Sequence, residues 1–372
     1  MAPNKPPFFA SQPFKALYFT YFILTTPPYI LYLAVKNLLK PFRRQPAQGF
    51  VANVVGSLFR AAFHLQAKTR SNDLLAESPR LAKGRLVKAD AAPADLFTGA
   101  LTSNPAVKPA PVEAIWFPSA PGGQDDIKKQ RLVMHFPGGA FVVRLGHEGM
   151  GRKVANVMID KMKADKVIWA QYRVSRASDS AFPASLQDAI SFYAYVLSLG
   201  YDPKNIFLSG DSAGGNAVIA VLRYLEETKV LPLPAGIFAF SPWVHLTPNV
   251  GREFDQSKLA AADILDGEFL QWGSDMYRPA APVSEEIEAY VSPLHRPFKT
   301  SVPLFLHACD AEGFGPLIKE FGKEMIELNG PSVVRYHGTP NASHDLILSY
   351  DIINMEAQMD AVMQDARDLF QQ

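Results

Sequence analysis

From about residue 111 onward, short apolar runs alternate with stretches in which apolar residues recur at helical spacing. Predicted strands and helices follow one another in this order: strands 112–117, 131–136 and 166–171, helix 184–199, strand 205–209, helix 213–228, strands 235–240 and 302–307, helix 316–329, strand 332–336 and helix 351–370. Strands that alternate with helices predict the α/β class, with a mostly parallel sheet flanked by helices on both faces.

The first part of the chain follows a different pattern. Residues 16–35 contain no charged side chain, and Pro27 and Pro28 lie in the middle of this stretch. Twenty apolar residues are enough to span a bilayer as a helix, whereas paired prolines break or kink a helix. Three interpretations stay open: an anchor on or re-entrant in the membrane, a true span, or helices that pack over the rest of the protein. Farther along, the apolar residues of 50–66 fall on one helical face.

These patterns divide the chain into two parts. Residues 1–110 form a predicted membrane-associated or cap segment, and residues 111–372 form the α/β domain. The gap between strands 235–240 and 302–307 is too long for a plain connection. We therefore predict that about 250–290 form a cap insertion.

Composition excludes several classes of partner. The 372 residues are 48% hydrophobic and 20% charged, which is enough apolar material for a large core. A net charge of +1 gives no electrostatic reason to expect a nucleic-acid partner. The single cysteine, Cys309, excludes an intramolecular disulfide and a multi-cysteine metal site, and no histidine pair has metal-ligand spacing on an evident helix. We therefore predict no metal site.

The segment Gly210-Asp211-Ser212-Ala213-Gly214-Gly215 carries the most specific chemical signal. It reads G-x-S-x-G between a predicted strand and a predicted helix, which is the context of a nucleophile elbow. The glycines permit a turn too tight for other residues, and the turn exposes the Ser212 hydroxyl. Ser212 is the predicted nucleophile, and the amide of Ala213 is a predicted donor to an oxyanion.

A serine hydroxyl needs a base that takes its proton, and a third group must orient that base. On this architecture the chain order is serine, acid, histidine. Asp310 follows strand 302–307 and His344 lies beyond the last strand, so these two are favoured. Glu312 and His337 are their respective alternatives.

The turn after strand 131–136 completes the predicted oxyanion hole. It contains Gly138 and Gly139, whose lack of a side chain lets backbone amides approach a substrate oxygen. Together with Ala213, these two glycines are the predicted oxyanion donors.

In combination the motifs resemble the hormone-sensitive-lipase-like branch of the α/β-hydrolases over about residues 111–350. The matching segments are Pro137-Gly138-Gly139-Ala140 for its His-Gly-Gly-Gly, Gln171-Tyr172-Arg173-Val174-Ser175 for Asp-Tyr-Arg-Leu-Ala, Phe182-Pro183-Ala184, Gly210-Asp211-Ser212-Ala213-Gly214-Gly215, Ser241-Pro242-Trp243 and Ser292-Pro293-Leu294. The chain departs from the family at Pro137, which replaces its oxyanion histidine, and at Ala140, which replaces its third glycine.

The resemblance implies an α/β-hydrolase fold with a helical cap built from the N-terminal region and an insertion. It also implies a cofactor-free serine hydrolase that cleaves carboxylic esters of an apolar, small-molecule substrate through an acyl-enzyme intermediate. Phe141, Trp243 and Tyr172 are the predicted substrate-binding residues. The alternatives are an acyltransferase with the same triad and a non-catalytic receptor on the same fold.

The sequence also bears on compartment. Asn341-Ala342-Ser343 is a glycosylation sequon directly before His344, where a glycan would crowd the predicted base. Lys36, Lys40, Arg43 and Arg44 follow the apolar stretch. Both observations predict that the α/β domain faces the cytoplasm, with a possible membrane contact through residues 16–35.

Overall fold

One mixed sheet runs through the part of the chain that the structure, a computed structural model, describes: residues 7–123, 126–279 and 283–371. Its eight strands lie in the order β1-β2-β4-β3-β5-β6-β7-β8. They are β1 (Leu86–Ala89), β2 (Val112–Phe117), β3 (Leu132–Phe136), β4 (Lys166–Gln171), β5 (Ile206–Asp211), β6 (Gly236–Phe240), β7 (Leu304–Cys309) and β8 (Val334–Thr339). The strand β2 pairs antiparallel with β1 and β4, and all other pairs are parallel. The predicted α/β class is confirmed; β1 was not predicted.

Helices flank the sheet and form the N-terminal region. Over the described residues they are α1 (Phe14–Leu38), α2 (Phe50–Thr69), α3 (Arg152–Met162), α4 (Ala184–Ser198), α5 (Ala213–Thr228), α6 (Val250–Asp255), α7 (Gly267–Tyr277), α8 (Glu285–Val291), α9 (Gly315–Asn329), α10 (Leu346–Ser349) and α11 (Glu356–Phe370). Every residue of the inner strands β3, β5, β6 and β7 is buried, which is why these strands read as continuous apolar runs.

The parallel pairing of β5, β6, β7 and β8 determines where the candidate site lies. The carboxyl ends of parallel strands meet at one edge of the sheet. The segments that follow β5, β7 and β8 carry Ser212, Glu312 and His344 respectively. Residues far apart in the chain therefore converge above one edge.

The helix α1 is continuous through Pro27 and Pro28, so the two prolines do not break it. The hydroxyls of Thr25 and Thr26 donate to the carbonyls of Tyr21 and Phe22, at 2.8 and 2.7 Å, in the turn before the prolines. Neither α1 nor any other helix among the described residues has the length and apolar character needed to cross a membrane.

The N-terminal helices pack on the segment that was predicted as a cap insertion. The ring of Phe63 on α2 stacks on that of Phe269 on α7, with centroids 4.8 Å apart. Arg44 and Arg60 donate to carbonyl oxygens of residues 260–265, and Lys68 pairs with Glu268 at 2.7 Å. The insertion contains α6, α7 and the start of α8, and its residues 280–282 lie outside the described part of the chain. The boundary at residue 110 stays a prediction.

Candidate active site

Ser212 occupies a strained turn between β5 and α5. Its φ of 51° and ψ of −117° lie where residues with a side chain are rare, and the surroundings hold it there. The amide of Ser212 donates to Phe240 O at 2.9 Å, and its carbonyl accepts from Trp243 N at 3.0 Å. A Cβ on Gly214 would lie 1.8 Å from Phe136 O, so only glycine allows α5 to start this close to β3.

A continuous hydrogen-bonded series runs from Ser212 to Glu312. Ser212 Oγ lies 3.0 Å from His344 Nε2, and His344 Nδ1 lies 2.6 Å from Glu312 Oε2. All three residues are buried, with Glu312 fully so. The alternative base, His337, instead lies 2.8 Å from Asp365. Ser212 and His344 are thus brought together as the sequence predicts.

The predicted acid, Asp310, does not reach His344; the structure places Glu312 there instead. The amide of Asp310 donates to Thr339 O at 3.0 Å and so continues the pairing of β7 with β8, which leaves this residue exposed. Glu312 lies beyond the turn, and its longer side chain folds back. Its Oε1 accepts from Cys309 N at 2.8 Å, which aims Oε2 at the imidazole.

Several carboxyls surround the imidazole. Asp345 Oδ2 lies 3.2 Å from His344 Nε2, and Asp263 Oδ2 accepts from Gly313 N at 2.6 Å beside Glu312. Burial alone would lower the pKa of His344, but Asp345 and Glu312 outweigh it and hold that pKa well above its usual value. Burial also raises the pKa of Asp263 and of Asp345.

One of the two amides predicted as oxyanion donors in the turn after β3 is already hydrogen-bonded within the protein. The amide of Gly138 donates to Asp211 Oδ2 at 2.9 Å, so it is not available to a substrate oxygen. Asp211 is itself held at 2.8 Å by His135 Nε2. In contrast, Gly139 lines the cavity that contains Ser212, as does Ala140. The Gly138 prediction fails because the buried carboxylate of Asp211 lies in contact with this turn.

The cavity over Ser212 is lined mainly by apolar side chains. Its walls come from α2, α7, the segment after β3 and the residues that follow His344, and they include Val55, Phe59, Phe63, Leu145, Phe269, Leu348 and Ile353. Phe59 and Phe63 belong to the one-sided apolar helix of residues 50–66. That periodicity was the available signal for the substrate cavity, but nothing in the sequence tied it to Ser212.

The three aromatic residues predicted to bind substrate are core residues instead. Phe141 and Trp243 are fully buried, and neither they nor Tyr172 line the cavity. Phe141 stacks on Tyr277 with ring centroids 3.6 Å apart, and the hydroxyl of Tyr172 donates to Pro137 O at 2.5 Å. These residues pack in the core beside the turn after β3 and do not face the cavity.

One group of possible metal ligands occurs among the described residues. His295, Glu320 and Glu324 bring ligand atoms within 4.8 Å of one another. His295 Nδ1 lies 2.7 Å from Glu324 Oε1, and its side chain is 59% exposed. None of the three lines the cavity over Ser212, so this group forms a surface ion pair apart from the candidate site.

Comparison with known proteins agrees with this geometry. A sequence profile described as alpha/beta hydrolase fold matches residues 133–346. An acetyl-hydrolase of Streptomyces hygroscopicus is 31% identical over 201 residues, which cover 53% of this chain and 58% of that protein. The esterase LipU of Mycobacterium tuberculosis is 30% identical over 169 residues, which cover 40% and 53%. The chain thus spans little more than half the length of these relatives.

Solved structures share the fold at lower identity. An esterase from the bacterial hormone-sensitive lipase family superimposes with a TM-score of 0.56 at 24% identity, covering 70% of this chain and 82% of that one. A hyperthermophilic esterase of Pyrobaculum calidifontis gives a TM-score of 0.59 at 17% identity, covering 85% and 92%. These neighbours establish the fold.

Replacing Gly214 by alanine is expected to prevent correct folding, because the added Cβ would overlap Phe136 O. Soluble yield and the thermal unfolding midpoint measure the effect. The matched control is Gly49→Ala, where no atom lies within 4 Å of the added Cβ and φ is −65°. A Gly214→Ala protein as stable as Gly49→Ala would contradict the tight contact.

Proposed function

The chain belongs to the α/β-hydrolase fold family, and from this premise we propose that it is a serine hydrolase of carboxylic esters. The observation that carries the proposal is the hydrogen-bonded series Ser212–His344–Glu312 at the floor of an apolar cavity. The series contains a nucleophile, a base and an orienting acid within hydrogen-bond distance of one another.

Each member has a defined step. Ser212 Oγ attacks the ester carbonyl while His344 Nε2 takes its proton. His344 then gives that proton to the leaving alcohol, and water repeats the sequence to release the acid. Glu312 accepts from Nδ1, so it selects the imidazole tautomer with a free Nε2 and stabilises the imidazolium that forms. Glu312 therefore replaces Asp310 as the proposed acid.

The proposed oxyanion donors are the amides of Gly139 and Ala213. Ala213 follows the nucleophile at the start of α5, where the helix dipole favours negative charge. Gly139 lines the cavity beside Ser212, and a Cβ there would lie 2.3 Å from Val143 O. Asp211 acts indirectly, because its bond to Gly138 N fixes the position of the turn.

The proposed substrate is a small ester with an apolar acyl part. The aliphatic and aromatic walls contributed by α2 and α7 favour such a group over a charged one. Relatives named acetyl-hydrolase and esterase support hydrolysis, with water as the acceptor. No observation favours an alcohol acceptor, and the intact series argues against a purely ligand-binding role.

We also propose that α1 lies on the surface of an anionic membrane. Apolar residues between 60% and 70% exposed lie three, four or seven positions apart and so share one helix face: Leu17, Tyr21, Leu24, Leu31, Val35 and Leu38. An apolar face of this length is unfavourable in water. Nine of the 37 Lys and Arg lie in residues 1–72, whereas all 36 Asp and Glu lie beyond Asn72. This charge favours anionic headgroups as the occupant.

The same helices connect this surface to the cavity. The helix α1 packs along α2, and α2 provides one wall of the cavity over Ser212. A lipid-dissolved ester would therefore reach the cavity past α2. The proposed location is the cytoplasmic face, because the exposed sequon residue Asn341 accepts from Gln48 Nε2 and lies three residues before His344. A glycan on Asn341 would therefore be attached close to the loop that carries His344.

A fluorophosphonate probe is expected to label the wild-type protein and to fail on Ser212→Ala and His344→Ala. The reason is that the probe reacts with a serine whose proton a neighbouring base removes. His337→Ala should label normally, because His337 contacts Asp365 instead. Full labelling of Ser212→Ala in an in-gel fluorescence assay would refute the proposed nucleophile.

Glu312→Gln is expected to lower kcat by about 10³-fold or more, since an amide in this place favours the wrong imidazole tautomer. Hydrolysis of p-nitrophenyl butyrate measures the change. The matched control is Asp310→Asn, which alters an exposed carboxyl and should change kcat by about twofold at most. A larger loss in Asp310→Asn would return the acid role to Asp310.

The full-length protein is expected to float with vesicles of phosphatidylcholine and phosphatidylserine, and much less with phosphatidylcholine alone. The double variant Leu24→Asp/Leu31→Asp should remain in the dense fraction, because charges cost free energy in the lipid interface. Leu81→Asp/Leu86→Asp is the matched control, since these leucines are also exposed but lie outside α1.

Two outcomes would contradict this location. A dimer that Leu24→Asp/Leu31→Asp dissociates, without any vesicle binding, would identify a second copy as the occupant of the α1 face. A mobility shift of the cellular protein after endoglycosidase treatment would show that Asn341 meets the glycosylation machinery.

A further inference from the structure

A second carboxyl lies beside the imidazole nitrogen of His344 that faces Ser212. Asp345 follows His344 directly and has a φ of 57°, which turns its side chain back toward the imidazole. Asp345 Oδ2 is 3.2 Å from His344 Nε2, the same nitrogen that lies 3.0 Å from Ser212 Oγ. Glu312 already orients the base from Nδ1, so the proposed mechanism leaves Asp345 without a role.

The other oxygen of Asp345 has no partner in the described part of the chain. Its Oδ1 is buried and accepts no hydrogen bond, although the amide of Asp345 is tied to Ser241 Oγ at 3.3 Å. The charged or titratable groups that act on it are His344, Asp211 and Glu312, of which only His344 is a possible cation. A buried acceptor without a donor is costly, and in a native protein it calls for an explanation.

The position of Asp345 identifies the part of the substrate that it faces. Asp345 lines the cavity over Ser212, whose walls are otherwise mainly apolar. During acyl transfer the leaving oxygen receives its proton from His344 Nε2. A carboxyl 3.2 Å from that nitrogen is therefore a neighbour of the alcohol part of the ester rather than of the acyl part.

We propose that Asp345 accepts a hydrogen bond from a hydroxyl on the carbon next to the ester-bearing carbon of the alcohol, so that the enzyme prefers monoesters of vicinal diols. This inference rests on the proposed ester hydrolysis and specifies its substrate class. A vicinal hydroxyl lies one hydrogen-bond length from the leaving oxygen, which matches a carboxyl that adjoins Nε2.

The same bond also bears on the second proton transfer. Once Nε2 carries the proton taken from Ser212, Asp345 Oδ2 and the leaving oxygen both lie within reach of it and compete for it. When a substrate hydroxyl donates to Asp345, the carboxyl gains a partner other than the Nε2 proton, and this proton is left for the leaving oxygen. The proton still moves from Ser212 Oγ to His344 Nε2 and on to the leaving oxygen, and Asp345 neither gains nor loses one.

The test compares two esters of the same size. In 2-hydroxyethyl butyrate a hydroxyl occupies the place of the terminal methyl of propyl butyrate. Wild type is expected to show a kcat/KM about tenfold or more higher for the hydroxyl ester, because a site built to bind a hydroxyl rejects the analogue without one. In Asp345→Gly, which removes the carboxyl and suits the positive φ, the ratio should fall toward one.

Two further variants make the result decisive. Asp345→Asn tolerates the same backbone conformation and keeps a neutral, weaker acceptor, so its ratio should lie between those of wild type and glycine. It decides the matter if the glycine variant does not fold. Asp351→Asn, which alters an exposed carboxyl paired with Lys153, should keep the wild-type ratio.

A wild-type ratio near one would overturn the inference, as would a ratio that neither Asp345 variant changes. Both results leave the proposed function intact if p-nitrophenyl butyrate is still cleaved and Ser212 is still labelled. Failure of cleavage and labelling together would instead remove the proposed function.

Discussion

The hydrogen bond between Ser212 Oγ and His344 Nε2 joins residues 132 positions apart, and the rest of the site depends on it. It can form only because β5 and β8 run parallel in one sheet, with β6 and β7 between them, so that their carboxyl ends meet at one edge. The strained backbone of Ser212 persists because its amide is hydrogen-bonded to Phe240 and its carbonyl to Trp243.

Buried carboxylates hold the parts of the site in place. Asp211 links the nucleophile elbow to the turn after β3, through Gly138 N and His135. Asp263, from the predicted insertion of about residues 250–290, accepts from Gly313 N directly beside Glu312. The loop that carries Glu312 is therefore fixed partly by this insertion, whose residues also line the cavity over Ser212.

The N-terminal helices connect the proposed membrane surface to the chemistry. Arg44 and Arg60 donate to carbonyls of residues 260–265, which include Asp263 O. Part of the basic charge of residues 1–72 thus stabilises the contact between the N-terminal region and residues 260–265. Lys15 and Lys36, in contrast, lie near the two ends of the apolar face of α1. The N-terminal region thus provides a wall of the cavity through α2 and the proposed lipid contact through α1.

The sequence by itself determined the elements whose signal is local. Alternating strand and helix periods and the G-x-S-x-G turn depend on residues close in the chain, and the order of Ser212 before His344 follows from the architecture that these periods predict. The predicted sheet is therefore confirmed, and the geometry joins these two residues.

Only the tertiary structure decided what depends on distance and side-chain reach. Glu312 rather than Asp310 meets the imidazole because strand pairing continues through residue 310 and a longer side chain folds back from 312. Gly138 is lost as a donor because its amide binds Asp211. Phe141, Trp243 and Tyr172 are buried because Phe141 packs against both of the other rings and against Tyr277 of α7. No periodicity encodes such contacts, since each depends on where two distant segments come to lie.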